Sequence, residues 1–227
     1  MSVWRMTYAV FRKDLRVELR SKELVYTVAF FAALLAVVFT VALPRDGRVD
    51  DRMVPGMLWA TIAFAGTLGL GRAFDRERQD DTMRALLLSP APRLAVFLGK
   101  ALAITLLILV VASVATPLFG LFLTRANMLA HPLPLLVTLA GGAFGFAIIG
   151  SVFSAALLRV RARDVLLPIV LYPVLIPLFF AATNATAAIS AATPDVGRAW
   201  YWISLLGVYD AVFLVLSLWL FEALVIE

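Results

Sequence analysis

The sequence predicts an all-α integral membrane protein with six transmembrane helices, both termini in the cytoplasm and an amphipathic interfacial helix at the N-terminus. Three observations carry this. Hydrophobic residues make up 63% of the 227 and charged residues only 15%, and the mean hydropathy is +0.95. A soluble domain of this length has no core large enough to hide that much apolar surface, whereas a bilayer absorbs it. The apolar residues fall into runs near the ~20 residues that cross a ~30 Å hydrocarbon core. The charges cluster in alternate loops between those runs, the pattern of membrane orientation and not of nucleic-acid binding.

The runs cover 24–43, 53–71, 101–123, 133–158, 165 to about 182, and 199–221, the last interrupted by Asp210. They form one transmembrane domain over 24–227 behind an N-terminal segment 1–23. That segment is too charged for a signal peptide, so the first span reads as uncleaved. Six Lys/Arg lie in the N-terminal segment, six in 72–100 and three at Arg159, Arg161 and Arg163; the opposite loops hold five. This split of 15 against 5 places the first group in the cytoplasm by the positive-inside rule.

Within 1–23, Trp4, Tyr8, Phe11, Leu15 and Leu19 recur at helical spacing, with Arg12, Lys13, Arg16 and Arg20 around the other face. A helix of that kind lies in the headgroup layer, apolar side down. It serves either as a basic anchor that fixes topology or as a lever on the first span.

The stretch 72–100 reads as the main cytoplasmic loop. Asp80 or Asp81 caps a short helix over 82–88, which Pro90 and Pro92 stop. That helix presents Met83, Leu86 and Leu87 on one face, beside Asp75, Glu77 and Arg84. An apolar-faced helix held off the membrane needs a groove, supplied by a separate cytoplasmic protein or by the chain's own helices.

Pro168, Pro173 and Pro177 are expected to bend or break the fifth span. The small, polar outer-face segment 183–198 after it reads as short helices dipping into the leaflet or as a plain loop.

Several chemistries lack their residues. There is no cysteine and one histidine, His131, so a thiolate or multi-histidine metal site is not expected. The single Gly-Lys pair, Gly99-Lys100, has no glycine-rich turn before it and Ala101 after it, so no phosphate-binding loop is present. An intramembrane aspartyl protease needs two carboxylates sharing a proton, and Asp210 has no partner of that type in another span. A mid-span aspartate costs about 2.5–3.5 kcal/mol on insertion scales. Asp210 is therefore expected to face protein, as a structural hydrogen bond or as a group used in transport or gating. Gly141 and Gly145, with Gly142 and Gly150, form a small-residue face for close helix contact.

Six spans, both ends inside, a basic amphipathic start and a docking loop between spans two and three resemble the ABC-2 class of permease subunits, which borrow an ATPase. One branch is closer. Phe11-Arg12-Lys13-Asp14-Leu15-Arg16 through Lys22-Glu23, Pro55-Gly56-Met57-Leu58-Trp59, Arg72-Ala73-Phe74-Asp75-Arg76-Glu77, Leu86-Leu87-Leu88-Ser89-Pro90 to Gly99-Lys100, and Leu171-Tyr172-Pro173 to Pro177 resemble the heme exporter protein B (CcmB) family of cytochrome c maturation. The likeness covers nearly the whole chain.

That resemblance implies a non-catalytic permease subunit in the bacterial inner membrane. Its implied partners are a cytoplasmic ABC ATPase that binds ATP, a heme-handling and a small membrane subunit, a periplasmic heme chaperone and the lipid bilayer, with no nucleic acid. It implies that 72–100 is the coupling loop, and that ATP hydrolysis in the partner is linked to release of the heme-loaded chaperone. Heme is then cargo and not a bound cofactor. His131, before Pro132, reads as a solvated loop residue or as a heme contact. The alternative within the same class is an exporter of lipid, drug or polysaccharide.

Overall fold

The computed structural model describes residues 3–42, 53–79, 93–123, 128–157, 160 and 162–224. Among them are seven α-helices: α1 Val3–Ser21, α2 Glu23–Ala42, α3 Met53–Gln79, α4 Arg93–Phe122, α5 Pro132–Ala156, α6 Arg163–Ser190 and α7 Val196–Leu224. A single 3-10 turn, Met128–Ala130, precedes α5. Helices α2 to α7 are long and apolar enough to cross a membrane.

The spans form two packed triads, α2–α3–α4 and α5–α6–α7, joined where α4 meets α5 and where α3 meets α6. Helix α5 is the interior member, 72% of its apolar window being buried, against 22% for α2 and α7. Its composition explains this, since glycine, alanine and serine let neighbouring backbones approach. Helix α2 shows the peripheral pattern. Val28, Ala32 and Ala36 are buried at a four-residue spacing, while Tyr26, Phe30, Leu34 and Val41 point outward, toward the place lipid occupies.

Local chemistry sets several helix starts. Pro55 falls in the first turn of α3, and Pro132 and Pro134 in that of α5, where a missing N–H costs nothing. Asp195 Oδ1 accepts the Arg198 amide at 2.9 Å, an N-cap for α7. Between α1 and α2 the chain turns at Lys22, whose φ of 55° lies in the left-handed region. The Glu18 carboxylate accepts the Val25 amide at 2.9 Å and so caps α2.

Three expectations need correction. Helix α6 runs unbroken through Pro168, Pro173 and Pro177 to Ser190. The segment from Thr183 to Ser190 is thus the last part of a span, neither a set of separate dipping helices nor a loop. Its polar groups are absorbed by the helix itself: Asn184, Thr186 and Ser190 each donate to the carbonyl four residues back, at 2.8, 2.8 and 2.9 Å. Small residues with satisfied hydroxyls make a close-packing helix face, which reads as loop when polarity alone is weighed.

The stretch 72–100 is not a loop throughout. Helix α3 continues to Gln79 and α4 begins at Arg93, so its first eight and last eight residues are helical. Met83, Arg84, Leu86 and Leu87, with Asp80 and Asp81, lie outside the described residues; Asp75 and Glu77 are on α3, with side chains outside the description.

Helix α1 is also more than a surface float. It packs along α4, burying Thr7 and Val10, so its protein-facing stripe is offset from the apolar one read in the sequence. Trp4 and Tyr8 stand outward, 76% and 61% exposed; Phe11 and Leu15 are half-buried, and the side chain of Leu19 lies outside the described residues.

Candidate functional site

Two places gather polar groups inside this apolar bundle. The first is the end of the bundle where α3 leaves and α4 enters. Here α1 lies so close on α4 that a Cβ on Gly99 would sit 2.7 Å from Val10 Cβ and 2.9 Å from the Thr7 carbonyl oxygen. Glycine at 99 is what allows the approach. One residue on, Lys100 is buried, 5% exposed. Its ammonium lies 3.8 Å from Asp14 of α1, whose other oxygen holds Lys13 at 2.8 Å.

Lys100 also lies over the ring of Phe74 of α3, at 5.6 Å from the centroid, and Arg163 of α6 lies over the same ring at 5.6 Å. Arg163 is only 2% exposed and donates to the Gly71 carbonyl at 3.4 Å. In the sequence, Lys100 and Arg163 look like loop charges that set topology. In the fold they are buried helical residues that tie α1, α4 and α6 to one aromatic ring on α3. A desolvated cation on an aromatic face is worth ~0.5–2 kcal/mol, and a buried charge is retained only when it is paired in such ways. The signal in the sequence was their position beside the apolar runs 101–123 and 165–182, where the run and the charge meet.

The second place lies at mid-span. Asp210 of α7 is buried, 6% exposed, and faces α5: a Cβ on Gly145 would come within 2.1 Å of its Oδ1, and one on Gly141 within 3.6 Å of Oδ2. Both helices begin at the same end of the bundle. Asp210 is 14 residues into α7 and Gly145 is 13 into α5, matched depths of roughly 20 Å. Among the described residues, Asp210 Oδ1 has no hydrogen-bond partner. Its neighbour Tyr209 donates its hydroxyl to the Val174 carbonyl of α6, between Pro173 and Pro177.

A third contact fastens the opposite end. Trp59 of α3 is buried and donates from Nε1 to Thr186 Oγ1 at 3.0 Å. Its ring fills the slot that Gly142 of α5 leaves open, where a Cβ would lie 2.2 Å from Cη2 and 2.5 Å from Cζ3 of the indole. Trp59, the last residue of the Pro55-to-Trp59 element, therefore links α3 to α5 and α6. Deeper along α3, the Thr67 and Tyr172 hydroxyls meet at 3.2 Å.

His131 takes the N-cap position of α5 without a side-chain capping bond. It is 14 residues along α5 from Gly145, roughly 21 Å, so the fold does not bring it to Asp210. The two predicted polar residues His131 and Asp210 thus stay apart. What the fold assembles instead is the junction of Asp14, Phe74, Lys100 and Arg163, at the feet of the two helices that carry segment 80–92.

The sequence pattern of the CcmB protein family matches residues 5–226. The chain is similar to heme exporter protein B of Pseudomonas aeruginosa, 28% identical over 180 residues and 79% of each chain. It is similar to heme exporter protein B of Haemophilus influenzae, 23% identical over 189 residues, 83% of this chain and 85% of the other. The likeness to heme exporter protein B of Escherichia coli runs over 103 residues, 45% of each chain, at 29% identity. With the family pattern covering all six spans and the helix before them, this multi-pass membrane protein belongs to the CcmB family.

Proposed function

We propose that this chain is the non-catalytic membrane subunit of an ABC-type complex for heme export and delivery in cytochrome c maturation, set in the bacterial inner membrane. The names of its relatives supply the heme. The coupling role rests on one observation: the helices flanking segment 80–92, α3 and α4, are tied to α6 through the ring of Phe74 and to α1 through the Asp14–Lys100 pair. A push on that segment therefore moves four helices together.

In this reading 1–23, 159–164 and 72–100 face the cytoplasm, as the charge split of 15 against 5 supports. A partner ATPase docks its groove on the 82–88 face through Met83, Leu86 and Leu87. The charges Asp75, Glu77 and Arg84 set register more than strength. The domain 24–227 then moves as one unit, and α1 passes the motion along α4. A periplasmic heme chaperone is released at the far side; the heme-handling and small membrane subunits complete the complex. Asp210 is a helix-packing group with its carboxylate set in the space left by Gly145, and His131 is a solvated cap residue.

Purification of the tagged chain from membranes tests this. The expected companions are an ABC ATPase and heme-binding proteins, with cytochrome c maturation lost when the chain is deleted. Recovery of an ATPase without any heme protein, from cells that still mature cytochrome c, would assign the chain to another cargo.

A further inference from the structure

A cavity of about 550 Å³ lies between α1, the start of α2, the end of α3 and α4, within the range of built ligand pockets. Its two ends differ in chemistry. At one end are Lys13, Lys22 and Lys100, with Asp14 and Glu18. Three lysines against two carboxylates leave that end one positive charge in excess. Both acids are already engaged, Asp14 with two ammonium groups at once and Glu18 with the Val25 amide.

The rest of the wall is apolar: Leu24 and Val25 from α2, and Ile104, Leu107 and Val110 from α4. From Lys100 to Val110 the wall follows ten residues of one helix, roughly 15 Å. That is half of a ~30 Å hydrocarbon core, the depth of one leaflet. The cavity thus has a cationic end and an apolar wall about one leaflet deep, placed beside a helix of interfacial character.

We propose that this cavity is a binding site for an anionic phospholipid of the bilayer, its phosphate held by Lys13, Lys22 and Lys100 and one acyl chain laid along Ile104, Leu107 and Val110. Basic pockets between membrane helices recognise lipid phosphates by this chemistry. A neutral headgroup would leave the excess charge unmatched, and a soluble anion would leave the apolar wall uncovered. The lipid would wedge α1 against α4 next to the Phe74 junction, so the site is also placed to set how firmly α1 follows α4.

The test uses the purified full-length chain in detergent micelles, mixed with equal amounts of phosphatidylglycerol and phosphatidylcholine and read by native mass spectrometry. The wild type should retain one phosphatidylglycerol in preference to phosphatidylcholine. A Lys13→Gln, Lys22→Gln double variant should lose about thirty-fold of that preference, at ~1 kcal/mol for each lysine. An Ile104→Trp variant, which fills the space along the apolar wall, should lose the retained lipid of either kind; circular dichroism melts identify any variant that fails to fold. Inorganic phosphate added in excess should leave the bound lipid in place. Equal retention of the two lipids by the wild type, or unchanged retention in both folded variants, overturns the proposal. So does displacement of the lipid by equimolar hemin, which would assign the cavity to a porphyrin.

Discussion

Asp210 of α7 occupies the space that a side chain on Gly145 of α5 would fill: a methyl group there would come within 2.1 Å of the carboxylate Oδ1. The carboxylate and the glycine are one packing unit across two helices. Neither residue explains itself alone, the first being costly in a membrane and the second a weak helix former.

Gly145→Ala should therefore destabilise the chain by about 1–3 kcal/mol, the cost of overpacking a fitted interior. Gly207→Ala on α7, where nothing lies within 4 Å, should be neutral. Asp210→Ala added to Gly145→Ala should recover part of the loss. Asp210→Asn, equal in size, should leave folding and partner assembly unchanged. Thermal unfolding of the purified variants checks all four, and equal melting of the two alanine variants would refute the packing unit.

Trp59 should be the residue least tolerant of truncation. Trp59→Ala removes a buried indole, its bond to Thr186 and the filling of the Gly142 slot, a loss of roughly 3–5 kcal/mol. Thr186→Val keeps the shape and leaves the indole N–H unpaired, at about 1–3 kcal/mol. Melting temperatures should rank wild type above Thr186→Val and Thr186→Val above Trp59→Ala.

These two contacts show what the sequence makes legible. The six spans could be read off because each is a long apolar run, and length against bilayer thickness decides the matter without any partner. Asp210 and the 141–145 glycines also stood out singly, as a charge and as a spacing. Their pairing did not, because depth matching between α5 and α7 is a tertiary fact. Thr183 to Ser190 misled for the opposite reason: hydroxyls bonded to their own helix carbonyls keep the composition of a loop. Lys100 and Arg163 were hidden by their utility in the charge count, where a buried cation and a solvated one weigh the same.

Phe74→Leu should uncouple the junction while lowering stability by about 1–4 kcal/mol. Leucine keeps most of the apolar volume but removes the face on which Lys100 and Arg163 rest, each contact worth ~0.5–2 kcal/mol. The variant should insert and bind its ATPase as the wild type does, yet support less cytochrome c maturation. A variant with full maturation would show that the ring transmits nothing.

The orientation proposed above rests on the 15-to-5 distribution of Lys and Arg. Reporter fusions after Arg48, Arg125 and Asp195 should be active with a periplasmic reporter alone, and fusions after Asp80, Arg161 and Glu227 with a cytoplasmic one alone. A periplasmic signal at Asp80 would invert the coupling scheme.

The most direct measurement concerns segment 80–92 as the place where a partner's ATP cycle enters. Burial of one leucine at a contact is worth about 1.5–3 kcal/mol, so loss of two should weaken docking by roughly two to four orders of magnitude. A Leu86→Ala, Leu87→Ala double variant should reach the membrane at wild-type level and no longer co-purify with the ATPase. The natural chain has no cysteine, so Met83→Cys should cross-link to an ATPase bearing its own surface cysteines, while Leu129→Cys at the other end should not. A double variant that still holds the ATPase and still matures cytochrome c would contradict the coupling role, and would move the docking site to α1 or to 159–164.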